Sequence, residues 1–150
     1  MKPLIVLFAV FVISIAAIKL INGVTDIPLA GRIAMAAMLS FTAIGHFAFT
    51  KGMSMMLPDF VPFKTETIYL TGLIEIAAAI GLLIPSLKHI TGWLLIVFFL
   101  LLLPANIYAA IKHVDYQKGT LEGPGITYLW FRLPLQLLFI LWTYLSAIRF

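Results

Sequence analysis

Five apolar stretches, each close to twenty residues long, dominate this chain of 150 residues. A helix rises about 1.5 Å per residue, and the hydrocarbon core of a bilayer is about 30 Å thick. Stretches of that length therefore read as membrane spans. They fall at residues 3–21, 29–50, 65–84, 91–111 and 127–148. The remaining composition leaves little room for another class. Hydrophobic residues make up 63% and charged residues 11%, against roughly 45–50% and 25% in soluble domains. A soluble fold, a disordered chain and a secreted disulfide scaffold are excluded. With no cysteine, the chain carries no thiol chemistry, thiolate metal site or cysteine-attached haem.

The turns punctuate the spans. Asn22-Gly23 opens the first connection, and Pro58 and Pro62 flank Asp59 in the second. Pro85-Ser86-Leu87-Lys88 is tight, and residues 112–126 form the most polar stretch, closing with Gly123-Pro124-Gly125. The first span has a thin basic flank, Lys2, and is long for a secretory signal, so it is expected to remain as an uncleaved helix. Basic residues divide five to four between the two faces, counted from Lys2, Lys51, Lys64, Lys112 and Lys118 against Lys19, Arg32, Lys88 and Arg149, so orientation is not set. The scattered charge gives no nucleic-acid patch. The expected architecture is an all-α membrane protein: a four-helix transmembrane bundle at residues 29–150 preceded by one extra transmembrane helix within residues 1–28.

Polar side chains inside spans are costly and face protein or water. Call the membrane face nearest the first residue side one. Counting helical rise from that face places His46, Asn106 and Arg132 about 6–7 Å deep, Gln136 about 13 Å and Glu75 about 15 Å. All five lie in the same half of the bilayer. Arg132 and Gln136 share a helix face, as do Thr42, Gly45, His46 and Phe49, and Gly72, Glu75 and Ala79. These stripes can converge on a pocket opening toward side one, with residues 53–63 over its mouth. Glu75 and His46 are the candidate catalytic, proton-exchanging groups. Asn106, Arg132 and Gln136 are the candidate ligand-binding groups, able to hold a carbonyl, hydroxyl or anionic head group. No metal site is expected, because Met53, Met55 and Met56 lack His or Cys companions and read as lipid-facing packing.

Plainer roles exist for each. Glu75 and Arg132 can form a structural ion pair. His46 can sit at the interface, Asn106 can serve backbone groups freed by Pro104, and Gln136 can bridge helices. Arg32 is expected to snorkel to the surface, and Trp93, Trp130 and Trp142 to anchor or pack.

At these landmarks the sequence resembles the DoxX and DoxX-like family of small bacterial membrane proteins. The match runs from Gly45-His46-Phe47 through Met56-Leu57-Pro58, Pro62, Gly72 and Glu75. It continues with Gly81-Leu82-Leu83-Ile84-Pro85, Pro104-Ala105-Asn106-Ile107, Trp130-Phe131-Arg132-Leu133-Pro134-Leu135-Gln136 and Trp142, covering about residues 30–148. The resemblance implies a four-helix bundle made by spans two to five, in a bacterial inner membrane. Some members are linked to membrane redox work such as thiosulfate oxidation coupled to quinone, and related folds include sterol isomerases and receptor-assembly chaperones. This chain departs by its first helix and by its lack of cysteine, which argues against a thiol-based role. The expectation is a subunit or accessory of a membrane redox system that binds a quinone or lipid and carries no cofactor of its own. A membrane redox protein and membrane lipid are its expected partners, and a second copy of the chain remains an option. A lipid or sterol-like isomerase and a non-catalytic assembly factor are the alternatives.

Overall fold

A computed structural model describes residues 2–150. The described chain is helical with no strands. Its elements are α1 (Lys2–Asn22), α2 (Ile27–Ala48), the short α3 (Thr50–Ser54), α4 (Lys64–Leu83), α5 (Lys88–Ile111) and α6 (Leu129–Thr143). A 3₁₀ turn, Gly125–Tyr128, leads into α6, and a π turn, Tyr144–Arg149, follows it. Together these last three pieces form one rod, so five helices are long and apolar enough to span a membrane. The expected fold class holds, and the helices start and stop within about four residues of the sequence-based spans. The π turn has no counterpart in the sequence-based expectation.

Local chemistry sets the ends. Gly23 adopts a left-handed φ of 75° and stops α1. Asp26 caps α2, its Oδ1 accepting from the Leu29 amide at 3.0 Å, while Pro28 occupies the first turn, where its missing N–H costs nothing. Residues 112–124 are folded rather than loose. Asp115 Oδ1 accepts from the amides of Gln117 and Lys118, Gly119 turns the chain at φ 66°, and Asp115 pairs with Thr120.

Each helix buries one stripe. On α4 it is Ile68, Gly72, Glu75, Ala79 and Leu82, while Leu70, Leu73 and Ile80 point outward. The outward-facing apolar surface is what a lipid environment requires, since hydrocarbon exacts no penalty for it. α2 is the central helix. It packs on α1, α4 and the C-terminal rod, and Ala34, Met35 and Leu39 are fully enclosed. α1 buries Leu7, Ser14 and Ile18, and its Leu4, Val6, Val10 and Phe11 pack partly buried against the core.

Arg32 does not snorkel. It is buried, and its Nε has no hydrogen-bond partner among the described residues. The reason is the central position of α2: Ala30, Gly31, Ala34, Met35 and Ala36 are buried around it, so that end of the helix has no outward face.

Small residues allow two close approaches. At side two, a Cβ on Gly31 would collide with Ser146, and the Gly31 carbonyl accepts from Trp142 Nε1 at 3.0 Å. Trp142 is thereby a packing residue, with Phe8 and Phe11 edge-on to its ring. Trp93 and Trp130 are exposed, as anchors are. At side one, a Cβ on Gly52 would overlap the Tyr116 carbonyl. Gly45 by contrast has only ordinary contacts, with Met53 Cε at 3.5 Å. Replacing Gly52 with alanine is expected to lower stability by about 1–3 kcal/mol, the usual cost of overpacking. Gly45→Ala is expected to stay within about 0.5 kcal/mol. Thermal unfolding of both variants in detergent, followed by tryptophan fluorescence, checks the pair.

Candidate functional site

Helices α2, α4, α5 and α6 each send a polar side chain into one cavity of about 180 Å³ near side one. They are His46, Glu75, Asn106 and Arg132 respectively. The pocket expected from the sequence is present, and four of its five candidate residues line it. Gln136 does not. It lies one helical turn deeper than Arg132, where Nε2 donates to the Phe99 carbonyl at 2.6 Å. It is a bridge between α6 and α5, close to Pro104.

The Glu75–Arg132 ion pair, the plainer role open to these two residues, is absent. Glu75 Oε2 instead stands 3.3 Å from His46 Nε2, and no carboxylate among the described residues reaches Arg132 at ion-pair distance. Helical rise gives the depth of each side chain but not its direction around the bundle. α2 and α4 pack directly against each other, and Gly72, one turn from Glu75, sits against His46 and Phe47. That contact brings His46 to the carboxyl. The reading of His46 as an interfacial residue also fails, because it is buried.

Hydrogen bonding around His46 fixes where its protons go. Nδ1 is 2.9 Å from Thr71 Oγ1 and 3.2 Å from the Ile68 carbonyl, and Thr71 Oγ1 donates to that same carbonyl at 2.8 Å. A carbonyl only accepts, and a hydroxyl has one hydrogen. If Thr71 gave its hydrogen to Nδ1, the Ile68 oxygen would face two lone pairs. Only an Nδ1–H, shared between the Thr71 oxygen and the Ile68 carbonyl, satisfies all three contacts. Nε2 then meets Glu75 either as a bare lone pair or as a second N–H. A proton on Nε2 or on the carboxyl would remove the repulsion between a lone pair and a carboxylate at that distance. The pair is off the N–H axis, and Glu75 Oε2 makes no aligned hydrogen bond.

The other members are poised rather than satisfied. Asn106 is 6% exposed and its Nδ2 has no partner. It therefore does not serve the backbone near Pro104. Arg132 Nε is buried and equally without a partner. Each buried group left this way costs on the order of 1–3 kcal/mol unless something binds it.

The mouth is roofed by residues the sequence placed there and by others it did not. Met53, Met56 and Leu57 come from the expected segment. The two methionines line the cavity instead of facing lipid, because the segment folds back across the helix ends. Tyr116, Pro124 and Tyr128 come from the far connection, and Pro3 from α1. Phe49 meets Tyr116 edge-on at 6.0 Å. Burial pushes the Tyr116 phenol above its ordinary range, with nearby Arg132 opposing that shift. Sequence reasoning singles out neither Thr71 nor Tyr116. The available signals were Thr71 four residues before Glu75, and an Asp115–Gly119 turn that fixes Tyr116 in place.

Residues 35–147 match a family described as a domain of unknown function, DUF8561. The chain belongs to this family. The matched range holds all four polar groups of the cavity, so the site lies within the DUF8561 domain, while α1 precedes it. Neither curated proteins nor solved structures give a match. No cluster of metal-ligating side chains occurs among the described residues.

The proton assignment has a direct check. In Glu75→Gln the amide can donate to Nε2 without carrying a proton to share. His46 should then be neutral with its hydrogen on Nδ1. ¹⁵N NMR of the labelled imidazole distinguishes this from the opposite tautomer, which would refute the assignment.

Proposed function

We propose that this DUF8561 protein binds a small lipid-soluble molecule, a quinone being the representative case, in the side-one cavity and exchanges a proton with it through His46 and Glu75. One observation carries the reading. Four polar side chains from four helices line a single apolar-walled space, and the donors of Asn106 and Arg132 there have no protein partner. A structural ion pair would have left no such vacancy, and Glu75 and Arg132 do not form one.

In this reading Asn106 Nδ2 and the Arg132 guanidinium hold an oxygen of the ligand. The proton between His46 and Glu75 passes to a ligand oxygen when that oxygen gains electrons, and returns when it loses them. The chain offers no group that carries electrons, so they come from a partner in the membrane. The DoxX-like order of landmarks supports a place beside a redox system of the bacterial inner membrane. The roof partly covers the cavity, and exclusion of water there would strengthen each interaction inside.

A saturable interaction is expected when a neutral short-chain quinone is titrated into the protein in lipid nanodiscs. Arg132→Ala and Asn106→Leu should each weaken it about tenfold or more, since a hydrogen bond from a charged or buried donor contributes about 1.5–3 kcal/mol. Gln136→Met should leave the affinity unchanged. Equal binding by all three variants and the parent protein would reject the reading.

The shared proton also favours a second reading, an isomerase that moves a hydrogen between two carbons of an unsaturated lipid or sterol-like substrate. Such an enzyme would wash solvent deuterium into the bound lipid, and Glu75→Gln should abolish the incorporation. No incorporation by the parent protein would dismiss this alternative.

A further inference from the structure

The charges around the cavity do not cancel. The ionisable side chains on its lining are His46, Glu75, Tyr116, Tyr128 and Arg132. His46 and Glu75 face each other at 3.3 Å, and with one proton between them they carry no net charge, whichever of them keeps it. Phenols are neutral near pH 7. Arg132 is always cationic. It has no carboxylate at ion-pair distance among the described residues. Two acidic groups of the side-one connections are engaged elsewhere. Asp59 pairs with Lys64 at 3.5 Å and accepts from Tyr108, and Asp115 holds its own turn. Arg132 is therefore a cation on the cavity wall with no carboxylate at ion-pair distance among the described residues, about 7 Å below the interface by helical rise.

Arg132 is half-buried with its Nε enclosed, so its charge is less well solvated than in bulk water. A neutral ligand leaves that condition unrelieved. A ligand bearing one negative charge removes it. The donors fit that choice: the buried Asn106 Nδ2 adds a neutral N–H donor beside a guanidinium that prefers planar, two-oxygen partners. The walls beside them are Ile68, Leu102, Ala105 and Ala109, which suit an apolar body.

Resting on the ligand-binding role proposed above, we infer that the cavity selects amphiphiles whose head group is a planar oxyanion, a carboxylate or an acidic enolate, and that Arg132 is the residue that selects them. Two sources share this chemistry: a fatty-acid-like lipid and an acidic hydroxyquinone. In either, one oxygen meets Arg132 and Asn106, and the other faces the His46–Glu75 proton.

The test compares matched acid and neutral probes on the full chain in uncharged nanodiscs at pH 8. One pair is decanoate and decanol. The other is 2-hydroxy-1,4-naphthoquinone and 1,4-naphthoquinone. In at least one pair the acid should bind about tenfold or more tightly than its neutral partner, and the pair that does so identifies the source. Arg132→Gln should abolish the preference, the affinity for the acid falling to that for its neutral partner, and Arg132→Lys should keep much of it. Equal binding of acid and neutral probes by the parent protein overturns the inference and leaves the binding role standing. That measurement needs no variant, so a misfolded Arg132→Gln cannot shield the idea. A preference that survives in a folded Arg132→Gln also overturns it. Failure of all four probes to bind overturns the binding role and this inference with it.

Discussion

The contact of an imidazole with a carboxyl, His46 against Glu75, governs the side-one half of this bundle. Either group alone, ionised in a poorly solvating interior, would be expelled or neutralised. Facing each other, they can remain buried with one proton serving both. The arrangement needs α2 and α4 close enough for direct contact. Gly72 permits this by offering no side chain where His46 and Phe47 press in. It also needs the imidazole to be oriented, which Thr71 and the Ile68 carbonyl accomplish from a single turn of α4. Three features of one helix, a small residue, a hydroxyl and a carbonyl, therefore fix the ring of another.

The two membrane halves are built on opposite logic. Toward side two the helices close: Gly31 meets Ser146, Trp142 ties α6 to the α2 backbone, and Thr143 and Ser146 bond to carbonyls of their own helix. Polar atoms there are mostly spent on structure, Arg32 Nε excepted. Toward side one the helices stand around a space, and Asn106 and Arg132 keep donors in reserve. Gln136 marks the boundary. It lies one turn beyond Arg132, and its bond to Phe99 joins α6 to α5 just below the cavity.

The sequence was most informative about lengths and depths. Twenty-residue apolar runs can only be spans, and residue counts from a span's end give depth to within a turn. The common leaflet of His46, Glu75, Asn106 and Arg132 was legible for that reason. Azimuth was not. Nothing in the order of residues says that α2 lies at the centre, so Arg32 looked like a surface residue. Nothing says that Glu75 turns toward α2 rather than α6, so Arg132 and His46 stood as equal candidates for its partner. Gln136 shared a face with Arg132 but not its depth, and one turn was enough to take it out of the cavity. Tyr116 was hidden in a polar connection whose Asp115 turn, though visible, gave no hint of folding over the helix ends.

The roof carries one further consequence. Where Gly52 meets Tyr116, main chain rests on main chain. Side-chain rotamers flicker on picoseconds to nanoseconds, but no rotamer change can pry one backbone off another. Admission of a molecule past this point demands that a whole segment swing aside, an event of microseconds or longer. Passage between Gly52 and Tyr116 would thus run on a far slower clock than any proton hop beneath it.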